Sequence, residues 1–530
     1  MQDQFSNLQQ IRKPAIRSKG GIVAAQSRKA AEIGAEVLAA GGDCVDAAIA
    51  TGFALGVLEP WNSGIGGGGA MVLYRARENK VEVIDFGTRA PKSLRVEDYP
   101  IVEGAASDIF PWPRVKDDRN IAGPGSIALP GVVAGHEAAF QLHARMPWKE
   151  LLAPSVKLAG EGLAVDWWTT LEIATSVAEL RKYPASAAAY LQDGLPPNPP
   201  WGIRSTLRLP QETLKATLEH LAATGARDFY EGDLAKSVAA DVQAAGGTLS
   251  TSDLAAYKAQ LRHPLEIPYR GGMVYATPEL TGGPTLAQIL RLLQKDLQVH
   301  REGPELAITY SSYVLALQSA YRERLKDMGD AEGRRALGAE YLAPTCTTHY
   351  SVVDREGNMA AVTQTLLSTF GSKFVTPQSG ITMNNGIMWF DPTPGKANSL
   401  GPGKRCLTNY TPVVARTADG KRLALGASGG RRILPAVTQI LSFVMDFGMD
   451  LDAAIHQPRI DASEGDIVIG DVRLPGEVRK LLRGHFDYEE ARVQTFPGKF
   501  AFPSIVMREG DTNSGATAIF HPWADVVAEE

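Results

Sequence analysis

Apolar residues recur along this chain with two periods, one helical and one extended. Residues 22–58 read as helix, turn, helix. AAQSRKAAEIGAEVLAAGG has an alanine-rich period of 3.6 that stops at Gly41-Gly42, a C-cap signal. DAAIATGFALGVLEP is apolar on every side, which predicts a helix buried all round. Gly64-Ile-Gly-Gly-Gly-Gly follows, then AMVLYRA and VEVIDF, two strands joined across the polar ENK turn. Residues 130–260 are mainly helical, and 270–330 pair a short strand with two helices. From Thr347 the character changes. THYSVVD and MAAVTQT read as strands flanking the polar turn Asp354-Arg-Glu-Gly-Asn358. Further strands are expected at 381–384, 411–416 and 422–426, a long helix at 432–447, and a closing strand near 501–507. The mixture predicts an α+β fold in which helices cover sheets.

Composition narrows the classes little but usefully. Apolar residues make up 44% and charged residues 21% of 530, so the chain is globular, with material for a large core. Glycine and proline are spread throughout without a low-complexity linker, which argues for one intimate globule. Lys and Arg number 54 against 59 Asp and Glu, a net charge of −5. That balance gives no reason to expect a nucleic-acid or membrane partner. Cys44, Cys346 and Cys406 are too few and too scattered for a disulfide framework or a zinc site. MQDQFSNLQQIRKPAIRSKGG lacks the apolar core of a secretory signal, so the expectation is a cytoplasmic protein.

Four motifs compete for the chemistry. Gly64-x-Gly66-x-x-Gly69 matches the dinucleotide fingerprint in letters, but a helix precedes it and a strand follows, the reverse of the required order. A close backbone approach explains it better. His136-Glu137 opens like a zinc-protease helix and lacks the second histidine. Gly426-Ala-Ser428-Gly-Gly430 fits a nucleophile elbow, with a strand before and a helix after. A serine hydrolase built on Ser428 would draw on Asp461 or Asp487 and on His485 or His521. The hairpins upstream speak against the fold such an enzyme needs.

The fourth is Thr347 in PTCTTHYS. A threonine hydroxyl is a weak nucleophile without a base. Cutting the peptide bond before Thr347 would free an α-amine with a pKa of about 7.7–8.0, able to take the hydroxyl proton near neutrality. If Arg355–Gly357 form the hairpin turn, Asp354 faces Asn358. Counting back then sets Thr347 opposite Thr365, about 5 Å across the ladder.

TTHYSVVDREGN, together with GGDCVDAAIATGFALGVLEP and GIGGGGAMVLY, resembles the gamma-glutamyltranspeptidases. FYEGDLAKSVAADVQAAGG, GPGKRCLTNYTPVV and GASGGRRI follow in the family's order, so the likeness spans nearly the whole chain. The resemblance implies a four-layer αββα N-terminal nucleophile hydrolase made as one precursor. Autocleavage between Cys346 and Thr347 would give a large subunit, 1–346, and a small one, 347–530, paired with each other, with higher assembly left open. It implies Thr347 as nucleophile, Thr365 as its second threonine, and Gly429 and Gly430 as the oxyanion hole. Thr408 and Asn409 fall at the family's two substrate-binding serines. No cofactor or metal is implied.

The departures from the family bear on the substrate. Gly87 stands where the family has its carboxylate-binding arginine, with Arg89 two residues on. Leu367 replaces an asparagine, and Trp389 replaces the aspartate that holds a glutamyl ammonium. A lost carboxylate partner of that kind costs about 3–5 kcal/mol, more than cation–π contact restores. The resemblance with these changes implies an amidohydrolase or acyltransferase for a small carboxylate-bearing amide, oxamate-like or glutaryl-type. A genuine gamma-glutamyltransferase or glutathione hydrolase is the alternative.

Overall fold

A computed structural model describes residues 10–105, 112–199, 207–297, 299, 303–327, 346–463, 465–492 and 497–530. The segment leading to the expected cut, 328–345, and the first nine residues of the N-terminal stretch lie outside the described residues. Two seven-stranded antiparallel sheets organise the chain. One runs Ile16–Ser18, Thr512–Thr517, Phe502–Glu509, Arg422–Ser428, Val413–Arg416, Gly272–Ala276, Leu265–Tyr269. The other runs Asp525–Ala528, Ile22–Ala25, Thr348–Val353, Met359–Thr365, Gly68–Arg75, Lys80–Phe86, Gln260–Arg262. Both sheets contain strands from before and from after residue 346.

The period-2 pattern decides which side chains meet. Ala24, Val72, Val353, Met359 and Ala361 of one sheet join Val414, Ala424 and Val506 of the other in one buried cluster, so the sheets face each other. The intervening residues Val23, Met71, Leu73, Val352, Ala360 and Val362 point the other way. There they pack with the helices Arg28–Ala39, Cys44–Leu58 and Trp148–Glu161. Leu423 and Leu425 likewise pack against the helices Gly283–Asp296, Ala307–Asp327 and Ile433–Met445. Each sheet therefore carries helices on its outer face.

Helix Cys44–Leu58 is buried nearly throughout, as its unbroken apolar composition requires. A capping box fixes its start: Asp43 accepts from Val45 N–H, and Asp46 accepts from Asp43 N–H at 2.9 Å. The ENK hairpin pairs Arg75 with Lys80. The glycine run allows the backbones to close up: a Cβ on Gly69 would lie 2.1 Å from Thr363 O, and one on Gly66 2.3 Å from Thr382 O.

Several elements differ from expectation. Ile22–Ala25 is a strand rather than the start of a helix. The stretch 381–384 forms only single bridges, Val375–Thr382 and Gly66–Met383, because it is held as a loop against the glycine run. Phe502–Glu509 does not close the sheet: Thr512–Thr517 and Asp525–Ala528 follow it. No described helix is long and apolar enough to cross a membrane.

Candidate active site

The hairpin Thr348–Val353 and Met359–Thr365 brings the threonines together. Its register pairs Thr348 with Gln364 and Val353 with Met359, the register the polar turn implies. Thr347 and Thr365 stand at its open end, 5% and 1% exposed, on the face turned toward the other sheet. The Thr347 hydroxyl has two acceptors in reach, Thr365 Oγ1 at 3.2 Å and the Cys346 carbonyl oxygen. Thr365 Oγ1 donates to the Cys346 carbonyl oxygen at 2.6 Å and accepts the Leu367 N–H at 2.8 Å. A hydroxyl chain thus ends on the carbonyl of the peptide bond that joins Cys346 to Thr347.

Leu367 makes its contact from strained backbone, with φ of 85°. An aliphatic residue in that region costs about 1–3 kcal/mol and needs surroundings that enforce it. Asn385 supplies part of them: its Nδ2 donates to Ser368 Oγ at 2.7 Å and its Oδ1 accepts Ser368 N–H at 3.1 Å. The Cys346 thiol donates to Trp61 O and, at 3.5 Å, to Asn62 Oδ1. Burial pushes its pKa well up, so sulfur here is an anchor and not a thiolate.

Among the described residues, no histidine serves these hydroxyls. His349 is buried between the sheets, with Nδ1 on Thr363 Oγ1 at 2.9 Å and Nε2 on Ser351 Oγ at 3.1 Å, and burial lowers its pKa to about 3. Its ring fills the space beside Gly426, where a Cβ would lie 2.3 Å from it. His136 is fully buried against Gln364 and likewise driven neutral, to about 4. Among the described residues, no group of three or more His, Cys, Asp or Glu is placed to hold a metal ion.

The glycines of GASGG lie where strand Arg422–Ser428 ends, ahead of helix Ile433–Met445. Strand Arg422–Ser428 packs against both strands of the threonine hairpin. Gly429 has φ of 136° and Gly430 φ of 58°, and a Cβ on Gly429 would lie 2.8 Å from Ala501 Cα. Glycine is the residue that takes such a path without strain. The strand–turn–helix context of a nucleophile elbow is therefore present, but its chemistry is not. Ser428 is buried, and its hydroxyl accepts from the Gln26 amide, which is no base. His521 turns Nδ1 to the N–H groups of Trp523 and Ala524, while His485 and Asp487 are exposed on another part of the surface. Asp461 pairs with Arg432 and accepts from Ser463.

Leu367 and Trp389 meet in one apolar cluster with Tyr410. Trp389 also borders a small cavity that Asn409 and Leu407 help to line. Thr408 sits beside Asn409, but its hydroxyl donates to Leu280 O at 3.1 Å. Arg89 does not line this cavity. Its carbonyl accepts Leu129 N–H at 2.8 Å, and its charge acts on Tyr257, which donates to Gly87 O. Two arginines that the sequence reading passed over, Arg324 and Arg431, do line it. The paired arginines of GGRRI ahead of an apolar helix were a usable signal for Arg431. Arg324, in a run of mixed charge, gave none.

The family model described as Gamma-glutamyltranspeptidase matches residues 30–343 and 339–519. The glutathione hydrolase proenzyme of Escherichia coli (strain K12) is 32% identical over 489 residues, covering 84% of this chain and 81% of that one. The acylase ACY 1 proenzyme of Pseudomonas sp. (strain V22) is also 32% identical, over 520 residues, covering 93% and 91%. Among solved structures, a cephalosporin acylase from Bacillus halodurans superposes with a TM-score of 0.84 at 24% identity, covering 100% of this chain and 99% of that one, a likeness of fold.

Proposed function

The chain belongs to the gamma-glutamyltranspeptidase family, and we propose that within it the protein is a self-processing amidohydrolase that forms its acyl-enzyme on Thr347. The observation that carries this reading is the hydroxyl chain from Thr347 through Thr365 to the Cys346 carbonyl. In maturation, Thr347 Oγ attacks the Cys346 carbonyl carbon. Thr365 supports the oxygen as it gains charge. The C–N bond breaks, the amine takes a proton, and water hydrolyses the resulting ester. Chains 1–346 and 347–530 result.

In turnover, the freed α-amine takes the Oγ proton, with no histidine required. Oγ then attacks the substrate amide carbonyl. The N–H groups of Gly429 and Gly430 are assigned to the oxyanion, where each donor is worth about 3–4 kcal/mol. The C–N bond breaks, the leaving amine takes the proton back from the α-ammonium, and water or an acceptor amine resolves the ester. Thr408 and Asn409 are assigned to the acyl group. The apolar bulk of Leu367 and Trp389 suits a small carboxylate-bearing acyl group without an α-ammonium. The Pseudomonas relative is named an acylase, which supports the acylase side of this reading. The Escherichia coli likeness keeps glutathione as a second reading.

A denaturing gel tests the proposal. The purified protein is expected as two bands, and Thr347→Ala as one band without activity. A Thr347→Ala protein that still divides and still cleaves amides contradicts it. Glutathione turnover matching that of a glutaryl amide would favour the second reading.

A further inference from the structure

The cavity beside Trp389 holds two guanidinium groups, Arg324 and Arg431, each only 5% exposed. None of the described residues lining it is an Asp or Glu. The two arginines are used differently. Arg324 donates to Thr281 O at 2.9 Å, Thr285 Oγ1 at 3.1 Å, Thr408 O at 2.7 Å and Asn409 Oδ1 at 3.1 Å. Because Arg324 can only donate, it requires the oxygen of the Asn409 amide. That leaves Asn409 Nδ2 as a buried donor with no acceptor among the described residues, on a side chain that lines the cavity.

Arg431 directly follows Gly430. Its guanidinium carbon lies 5.5 Å from the Tyr321 ring centroid, and Tyr321 donates to its backbone carbonyl. The guanidinium makes no hydrogen bond or ion pair with any described residue. A buried charge without a counter-ion is costly, and a second cation on the same cavity adds repulsion. Arg324 registers both effects: burial above all lowers its pKa to about 10, and the field of Arg431 also lowers it, against an opposing contribution from Tyr321. An anion between Arg431 and Asn409 would relieve all of this. A planar carboxylate suits a guanidinium fork best, because both oxygens can be met at once.

We infer that Arg431, with Asn409 Nδ2, binds the distal carboxylate of the acyl group and so sets specificity for monoamides of short dicarboxylic acids. This rests on the amidohydrolase reading above. It places the carboxylate partner directly after the oxyanion glycines, within GASGGRRI, on a residue to which the resemblance assigns no role. Trp112 and Trp389 offer apolar walls for the methylene spacer. Among the described residues, no acid lines the cavity to hold an α-ammonium.

The test compares glutaryl and pentanoyl p-nitroanilides, which share chain length and differ in the terminal carboxylate. The native protein is expected to favour the glutaryl compound. Arg431→Met should lower the glutaryl-to-pentanoyl ratio of kcat/KM by about 100-fold, and Arg431→Lys should restore part of it. A ratio unchanged in Arg431→Met, or the same loss on both compounds, overturns the inference and leaves the amidohydrolase reading standing. A native protein that is uncut and cleaves neither compound fails that reading instead. Should Arg431→Met not mature, inhibition of the native enzyme decides. Glutarate is expected to compete with pentanoyl anilide at least tenfold better than pentanoate, and equal competition overturns the inference.

Discussion

Thr365 does two things at once: it accepts from Thr347 and donates to the carbonyl oxygen of the bond ahead of it. A donor on an oxygen that gains charge is worth about 10²–10³ in rate. Thr365→Val, which keeps the shape, is therefore expected to slow conversion of one band to two by about 100-fold, and Thr365→Ser to keep most of the rate. A time course in which Thr365→Val matures normally would remove Thr365 from the maturation step. The threonine pair was legible in the sequence because a hairpin's register follows from its turn, and Asp354 and Asn358 mark that turn plainly. Arg431 was legible only as one of the paired arginines after the glycine turn, since a guanidinium there reads equally as surface charge until its neighbours in space are known.

At the scale of elements, helix Cys44–Leu58 ends on Glu59, whose side chain is wholly buried. Glu59 accepts from Asn62 Nδ2 at 3.2 Å, and Asn62 in turn meets Cys346. Burial raises its pKa from 4.5 to about 7. The folded state thus holds this proton more tightly than the unfolded chain. Its contribution to stability is fully present below about pH 4.5 and is lost as pH rises through about 7. Glu59→Gln should therefore gain on the native protein at pH 9 relative to pH 5, by up to about 3 kcal/mol. Thermal unfolding at both pH values measures it, and an identical difference at each would contradict the assignment. The same scale shows why some strands escaped sequence reading. Ile22–Ala25 is buried on both faces and so has no alternation to separate it from the alanine-rich helix that follows. Thr512–Thr517 buries Asn513 and Ser514, polar residues that a hydrophobic pattern cannot register. What could be read were the hairpins with a polar turn and the helices with a cap.

For the whole molecule, the fold fixes what a cut would leave. Ile22–Ala25 pairs with Thr348–Val353, Gly68–Arg75 with Met359–Thr365, and Gly272–Ala276 with Val413–Arg416. Each of these ladders joins chain from before residue 346 to chain after it. The cluster between the sheets mixes both parts as well. Neither part can keep its core alone. After maturation the two chains are expected to elute together on gel filtration and to separate only on unfolding. Elution as two independent folded species would contradict the account. The layered α+β class was legible because helical and alternating segments are both strong in this sequence. The interleaving was not, because strand order across two sheets depends on pairings hundreds of residues apart.

The central claim is that the nucleophile and its base become one residue when the bond before Thr347 breaks. N-terminal sequencing of the shorter chain from catalytically competent protein tests it most directly. The account predicts Thr-Thr-His as the first three residues. Competent protein that yields a different start for that chain, or a single undivided chain, contradicts it.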